Sequence, residues 1–209
     1  MKKLFGVSMV ALAFAVIPSA HAGDGLYVSG SVGMNIPNDS DLTDNAIPGF
    51  TVTAEADNGW AFGMAVGYAL QNFRVEAEFS YLANDIDTVK AYGYSFDSTG
   101  DVSAATGLIN GYFDIPVNAK FKPFVTAGLG LAKVEINDFN LEGSGVADWS
   151  DDDVVFAWQV GAGMGYAVTD KVILEAKYRY FQTSDPEFED GTNMEYSGHV
   201  ILMGVRYHF

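Results

Sequence analysis

The chain has 209 residues, 27 acids against 11 Lys and Arg, a net charge of −16 and no cysteine. That balance excludes binding to nucleic acid, whose phosphates repel it, and the missing cysteine excludes disulfides and a lipid-anchored N-terminal thiol. Glycine (23 residues) and aromatics (14%) are abundant and proline (6 residues) is scarce, a composition that suits many strands with interleaved polar and apolar positions.

Met1-Lys2-Lys3 is a positively charged start, Leu4 to Ile17 is apolar, and Pro18-Ser-Ala-His-Ala22 ends in Ala20-x-Ala22. This reads as a cleavable secretory leader over 1–22, which leaves 23–209 as one domain. Beyond the leader no apolar run reaches the 18 or more residues that a membrane-crossing helix needs.

Eight segments then alternate with a period of two, the strand period. The first, about Leu26 to Ile36, sets Leu26, Val28, Val32, Met34 and Ile36 against Tyr27, Ser29, Ser31, Gly33 and Asn35. In the second, Gly59 to Leu70, Trp60, Phe62, Met64, Val66, Tyr68 and Leu70 alternate with Gly and Ala. The third follows Gln71-Asn72 and turns Phe73, Val75, Ala77, Phe79 and Tyr81 outward, Arg74, Glu76 and Glu78 inward. The fourth, about Val102 to Ile115, sets Ile109, Phe113 and Ile115 against Asn110, Tyr112 and Asp114. The fifth starts near Phe121, and the sixth runs about Val154 to Tyr166, its inward positions being Gln159, Gly161, Gly163 and Gly165. The seventh points Glu175, Lys177 and Arg179 inward beneath Leu174, Tyr178 and Tyr180. In the eighth, Gly198 to Phe209, Ile201, Met203, Val205, Tyr207 and Phe209 share one face, with Arg206 and His208 on the other.

Each segment has the roughly 9–11 residues that a tilted strand needs to cross hydrocarbon. Short connections (Gln71-Asn72, Pro116 to Lys120, Val168 to Lys171) alternate with long ones near 37–58, 84–101, 133–153 and 182–195. The fold expected is all-β: an eight-stranded antiparallel up-and-down transmembrane β-barrel, with short inner turns and long outer loops. The C-terminal pattern resembles the closing-strand signal of bacterial outer-membrane barrels. Phe121-Lys-Pro-Phe-Val-Thr-Ala-Gly-Leu-Gly, Trp158-Gln-Val-Gly-Ala-Gly-Met-Gly-Tyr, Thr169-Asp170 and Tyr178-Arg-Tyr are similar to the OmpA-like and opacity-type surface barrels. The resemblance implies the outer membrane of a Gram-negative bacterium, a monomer among its lipids, and assembly machinery that reads Tyr207 and Phe209. It also implies a structural or surface-interaction role, antigen- or adhesin-like, with a small passive channel for small or cationic solutes as the alternative.

Three constellations are candidates for chemistry. Arg74, Glu76, Glu78, Glu175, Lys177, Arg179 and Arg206 face inward with both signs present, either as a salt-bridged plug or as the lining of a gated conduit. An eight-stranded interior is just wide enough for side chains to fill, which favours the plug. The inward glycines and alanines favour residual water. The long loops hold 21 acids against Lys90 and Lys133, so the outer end repels anions and gathers cations. Asp148, Asp151, Asp152 and Asp153 are the densest patch and the weak candidates for a divalent cation, though the Gly and distal Glu of an EF-hand loop are missing. Ser197 and His199 share a face with Glu195 nearby, as in barrel lipid hydrolases, but i, i+2 neighbours project in parallel. No catalytic residue and no cofactor are assigned.

Overall fold

Hydrocarbon offers no partner to a backbone N–H, so a strand that crosses it must be paired on both edges. The computed structural model describes residues 24–38, 40–44, 51–91, 94–117, 120–141, 149–184, 192–194 and 196–209, and the leader expected over 1–22 lies outside them. Among the described residues the strands are β1 (Gly25–Pro37), β2 (Ser40–Asp44), β3 (Thr51–Ala56), β4 (Gly59–Leu70), β5 (Phe73–Ala91) and β6 (Tyr94–Asp114). They continue with β7 (Phe121–Leu141), β8 (Trp149–Ala167), β9 (Val172–Thr183), β10 (Thr192–Met194) and β11 (Ser197–His208). Eight of them form one ring in the order β1-β4-β5-β6-β7-β8-β9-β11. β11 returns to β1 with Tyr27 opposite His208 and Pro37 opposite Gly198. Every pairing is antiparallel. The barrel is closed.

The alternation puts apolar side chains on the outside, where Val32, Leu70, Phe73, Met203 and Phe209 are each about three-fifths exposed or more. Such a surface, continuous around the ring, needs lipid to cover it. Aromatic pairs mark its two edges. Phe73–Phe113 (5.1 Å), Phe121–Tyr166 (4.9 Å) and Tyr207–Phe209 (5.4 Å) lie at the end with the short turns. Trp60–Tyr81 (5.6 Å) and Trp158–Tyr180 (5.8 Å) lie at the other. Between such girdles an outer-membrane barrel keeps an apolar band about 25 Å tall.

The short turns are as expected. In the tightest, Gln71 adopts a left-handed backbone (φ 54°), and its N–H is held by Asp24 Oδ1 at 2.7 Å. The long connections differ from the expectation. Most of 84–101 and 133–153 is strand: β5 and β6 pair as far as Ala91 opposite Tyr94, and β7 and β8 as far as Phe139 opposite Trp149. β2, β3 and β10 add a small sheet to the upper part of β5. Above the lipid the outward face no longer has to be apolar, so the hydrophobic period fades while backbone pairing continues. Register shifts near Asp85, Thr99 and Ile136 sit in these extensions, where a bulge costs little.

The interior also corrects an expectation. Its outer half holds an apolar cluster that includes Leu82, Leu108, Val134, Phe181, Val200 and Leu202, with Asn35, Asn84 and the Tyr196 hydroxyl hydrogen-bonded to one another beyond it. Several inward glycines do not leave water-sized gaps, because side chains from neighbouring strands lie over them. A Cβ on Gly67 would come within 2.2 Å of Tyr27 Cζ, one on Gly163 within 2.4 Å of Phe124 Cζ, and one on Gly128 within 1.9 Å of Asn110 Oδ1. Gly67→Ala should therefore displace the Tyr27 ring and lower stability by about 1–3 kcal/mol, the usual cost of overpacking. Urea unfolding of the refolded barrel in detergent micelles measures this. Unchanged unfolding would mean that Tyr27 is not packed on Gly67.

Candidate functional site

The inward face of a strand repeats every second residue, so three ionisable side chains in a row form a column. β5 supplies Arg74, Glu76 and Glu78, β9 supplies Glu175, Lys177 and Arg179, and β11 supplies Arg206. All seven are buried. The structure brings all seven together and adds one that the sequence reading did not count among them, Asp114 of β6. Arg74 Nε and Nη2 each donate to an Asp114 oxygen at 2.9 Å. Four cations then face four carboxylates, and among the described residues the interior is electrically neutral. A bidentate guanidinium–carboxylate pair is among the stronger hydrogen-bonded contacts, and here it sits at the inner end of the barrel.

Two tiers follow. In the lower one Glu175 Oε1 lies 3.5 Å from Arg74 and 3.4 Å from Arg206, and its Oε2 lies 3.9 Å from Lys177 Nζ. The Arg74 guanidinium also lies over the rings of Tyr112 (4.2 Å) and Phe124 (5.0 Å), and such stacking favours a cation removed from water. In the upper tier Arg179 donates through both terminal nitrogens to Glu78, Nη2 at 2.8 Å. Asn110 donates to Glu78 at 3.1 Å, and Gln159 donates to Asn110 at 2.7 Å. Between the tiers Glu76 accepts from the hydroxyls of Tyr27 and Tyr112, both at 3.0 Å. These contacts run from β1, β5, β6, β8, β9 and β11 across the centre of the barrel. Where the network meets the apolar cluster, beside Gln159, Arg179, Leu202 and Phe181, the remaining cavity is about 10 Å³, room for one water at most.

Tyr27, Asn110, Tyr112 and Gln159 complete the network. Their inward parity placed them in the barrel, but residue type alone did not distinguish these tyrosines from those of the lipid interface.

Of the acidic patch, two side chains are placed, those of Asp152 and Asp153. Asp148 and the side chain of Asp151 lie outside the described residues. Asp152 Oδ2 lies 3.3 Å from Lys133 Nζ, and Lys133 also pairs with Glu135. Asp153 Oδ1 accepts the N–H of Val154 at 2.7 Å. Both acids belong to β8, and a strand sends successive side chains to opposite faces, so Asp152 and Asp153 diverge. Among the described residues no group of three His, Cys, Asp or Glu converges as metal ligands would. His199 is paired elsewhere too: its Nδ1 lies 2.7 Å from the Tyr178 hydroxyl, while the Ser197 hydroxyl accepts from Asn38 Nδ2 at 3.0 Å. Ser197 and His199 thus face different partners.

At the closing strand, Tyr207 and Phe209 lie on the outward face, 39% and 68% exposed, with their rings edge to face. The match to known families decides what such a barrel is. A family model for the outer membrane protein beta-barrel domain matches residues 7–209. The chain belongs to that family. The outer-membrane barrel is 28% identical to outer membrane protein PagN of Salmonella typhimurium over 199 residues, covering 86% of this chain and 83% of PagN. Its fold is similar to that of OprG of Pseudomonas aeruginosa (TM-score 0.64, 16% identity, 90% of this chain and 97% of that one). It is also similar to Neisserial surface protein A (TM-score 0.58, 20% identity, 90% and 99%). The outer membrane protease OmpT of Escherichia coli shares the fold as well (TM-score 0.56, 10% identity, 92% and 99%), so the architecture itself is compatible with catalysis as well as with surface roles. The barrel's apolar outer face lies against outer-membrane lipid, and in barrels of this kind the short turns are the periplasmic ones.

Removing one partner of a buried pair strands the other charge, at a cost of roughly 3–5 kcal/mol. Arg179→Ala should lower the stability of the outer-membrane barrel by that amount, because Glu78 stays enclosed beneath the apolar cluster. Denaturant unfolding in micelles measures it. A loss below about 1 kcal/mol, the range of solvent-screened pairs, would mean that water reaches Glu78.

Proposed function

We propose that this protein is a sealed membrane scaffold that presents acidic β-hairpins to the cell's surroundings, in an antigen- or adhesin-like role. One observation carries the reading: strand pairing runs on past the outer aromatic girdle, above an interior that closes to about 10 Å³. A pore needs the opposite arrangement, an open lumen with loops that leave it clear. The alternative, a narrow passive channel, gains support only from the ionisable lining, which in this barrel is fully paired by sign. OprG and Neisserial surface protein A support the scaffold alone, since their likeness is one of fold. We assign the chain no catalytic residue, because Ser197 and His199 have separate partners. The cation reading of Asp148, Asp151, Asp152 and Asp153 is the weakest of the proposals, given that Lys133 already engages Asp152.

Two experiments test the role. The refolded barrel in a planar bilayer should give no steady conductance, and a stable ohmic step would favour the channel. Replacing 86–100 and 136–151 with short turns should leave assembly intact but reduce adhesion of expressing cells to an epithelial layer to the vector background. Equal adhesion by the trimmed barrel would remove the surface role.

Residues 1–22 act as the exported leader in this reading, and a single chain suffices to close the barrel. Assembly machinery is proposed to engage the last strand through Tyr207 and Phe209. Changing both to Ala, or deleting Phe209, should leave secretion unchanged while the chain fails to enter the membrane and accumulates or is degraded in the periplasm. Folded barrel at wild-type level in the outer membrane would overturn that assignment.

A further inference from the structure

At the periplasmic end the barrel opens into a cavity of about 360 Å³, lined among others by Arg74, Asp114, Lys122, Thr169, Arg206 and His208. That volume is at the small end of the range for ligand pockets. Its chemistry is lopsided. Arg206 is 3% exposed and His208 7% exposed, yet Nε and Nη1 of Arg206, Nη1 of Arg74 and both ring nitrogens of His208 find no hydrogen-bond partner within the protein. Several nearby acceptors are already engaged. Both oxygens of Asp114 take Arg74 donors, and Asp24 Oδ1 takes the Gln71 N–H. Glu175 Oε1, at 3.5 and 3.4 Å from the two arginines, balances their charge without reaching hydrogen-bond geometry. Buried guanidinium donors left unmade are costly. A water can accept from such a donor but brings two donors of its own, which an acceptor-only group does not. An acceptor-only group of negative charge fits better.

We propose that this vestibule binds a small oxyanion, a carboxylate or a phosphate, entering from the periplasm. Arg206 and His208 hold it from the barrel side, and the exposed Lys122 attracts it at the rim. Asp24 and Asp170, also on the lining, limit the charge that the site accepts, so a single small anionic group is favoured over a polyanion. The source is either the free carboxylate of a peptide or polymer end, or inorganic phosphate.

The test is an NMR titration of the refolded full barrel in zwitterionic micelles, with labelled arginine and histidine. N-acetylalanine, its neutral amide, inorganic phosphate and sodium chloride are added at constant ionic strength. The Arg206 Nε–Hε and His208 ring signals should move saturably with N-acetylalanine or phosphate and stay still with the amide and chloride. Whichever of the two oxyanions saturates at the lower concentration identifies the source. Arg206→Gln should abolish saturation. Because that change also strips a partner from Glu175, two rim variants provide a second test. Lys122→Ala should weaken binding by about two- to fivefold, the worth of one solvent-exposed charge, and Asp170→Asn should strengthen it. Shifts that are linear, equal with chloride, or saturable but unchanged by both rim variants would overturn the proposal and leave a water-filled mouth.

Discussion

The constraint behind this structure is the absence of hydrogen-bonding solvent in the bilayer. A single unpaired edge strand would leave a row of N–H and C=O groups in hydrocarbon, each costing several kcal/mol. Closure between β1 and β11 removes the last such edge. Once the ring is closed, the two faces of each strand are separated. The outward face must be apolar for the depth of the lipid, and the inward face must fill a space that no other element enters. The filling comes in pairs: a glycine on one strand beneath a large side chain from another, as Gly67 lies beneath Tyr27 and Gly163 beneath Phe124.

The neutral interior follows from the same enclosure. Burying four cations is tolerable only if each has a carboxylate within reach, since desolvation outweighs attraction for an isolated charge. Glu175 shows how few carboxylates are needed: one side chain lies close to Arg74, Lys177 and Arg206. The tyrosines Tyr27 and Tyr112 both donate to Glu76, so this carboxylate is held by neutral donors rather than by a guanidinium. The network therefore fixes β1, β5, β6, β8 and β9 relative to one another through directional bonds, which apolar packing alone would leave free to slide in register, and Arg206 of β11 joins it by charge.

Much of this was legible in the sequence. The number of barrel strands, their facing, the turn positions and the inward columns of β5 and β9 follow from period two, and β4 was placed to the residue, whereas β2, β3 and β10 were read as loop. What was not legible has physical causes. The strand extensions beyond Ala83 and Lys133 were read as loops because their hydrophobic period ends where lipid ends, although backbone pairing does not require it. Asp114 was seen as inward but not as a partner, since contacts between Arg74 and a residue 40 positions away depend on barrel shear and not on spacing. The inward glycines were read as empty space, because parity says which way a residue points and nothing about what lies over it. Asp152 and Asp153 show the complementary limit: in a strand, neighbours in sequence are opposed in space.

The interior is thus graded from one end to the other. Towards the periplasm there are charges, long contacts and unmade donors at an open mouth, and towards the exterior there is an apolar layer around Leu82, Val134 and Phe181, capped by hydrogen-bonded Asn35, Asn84 and Tyr196. The order suits a surface protein. Hairpins that meet other surfaces need a rigid base, and close-packed aliphatic and aromatic side chains give the least room for movement. Polar groups with imperfect geometry are tolerated where water can still approach, at the inner mouth. Placed in reverse, the apolar layer at the periplasmic end and the charges beneath the hairpins, the same residues would set mobile ions and water under the elements that most need a fixed support.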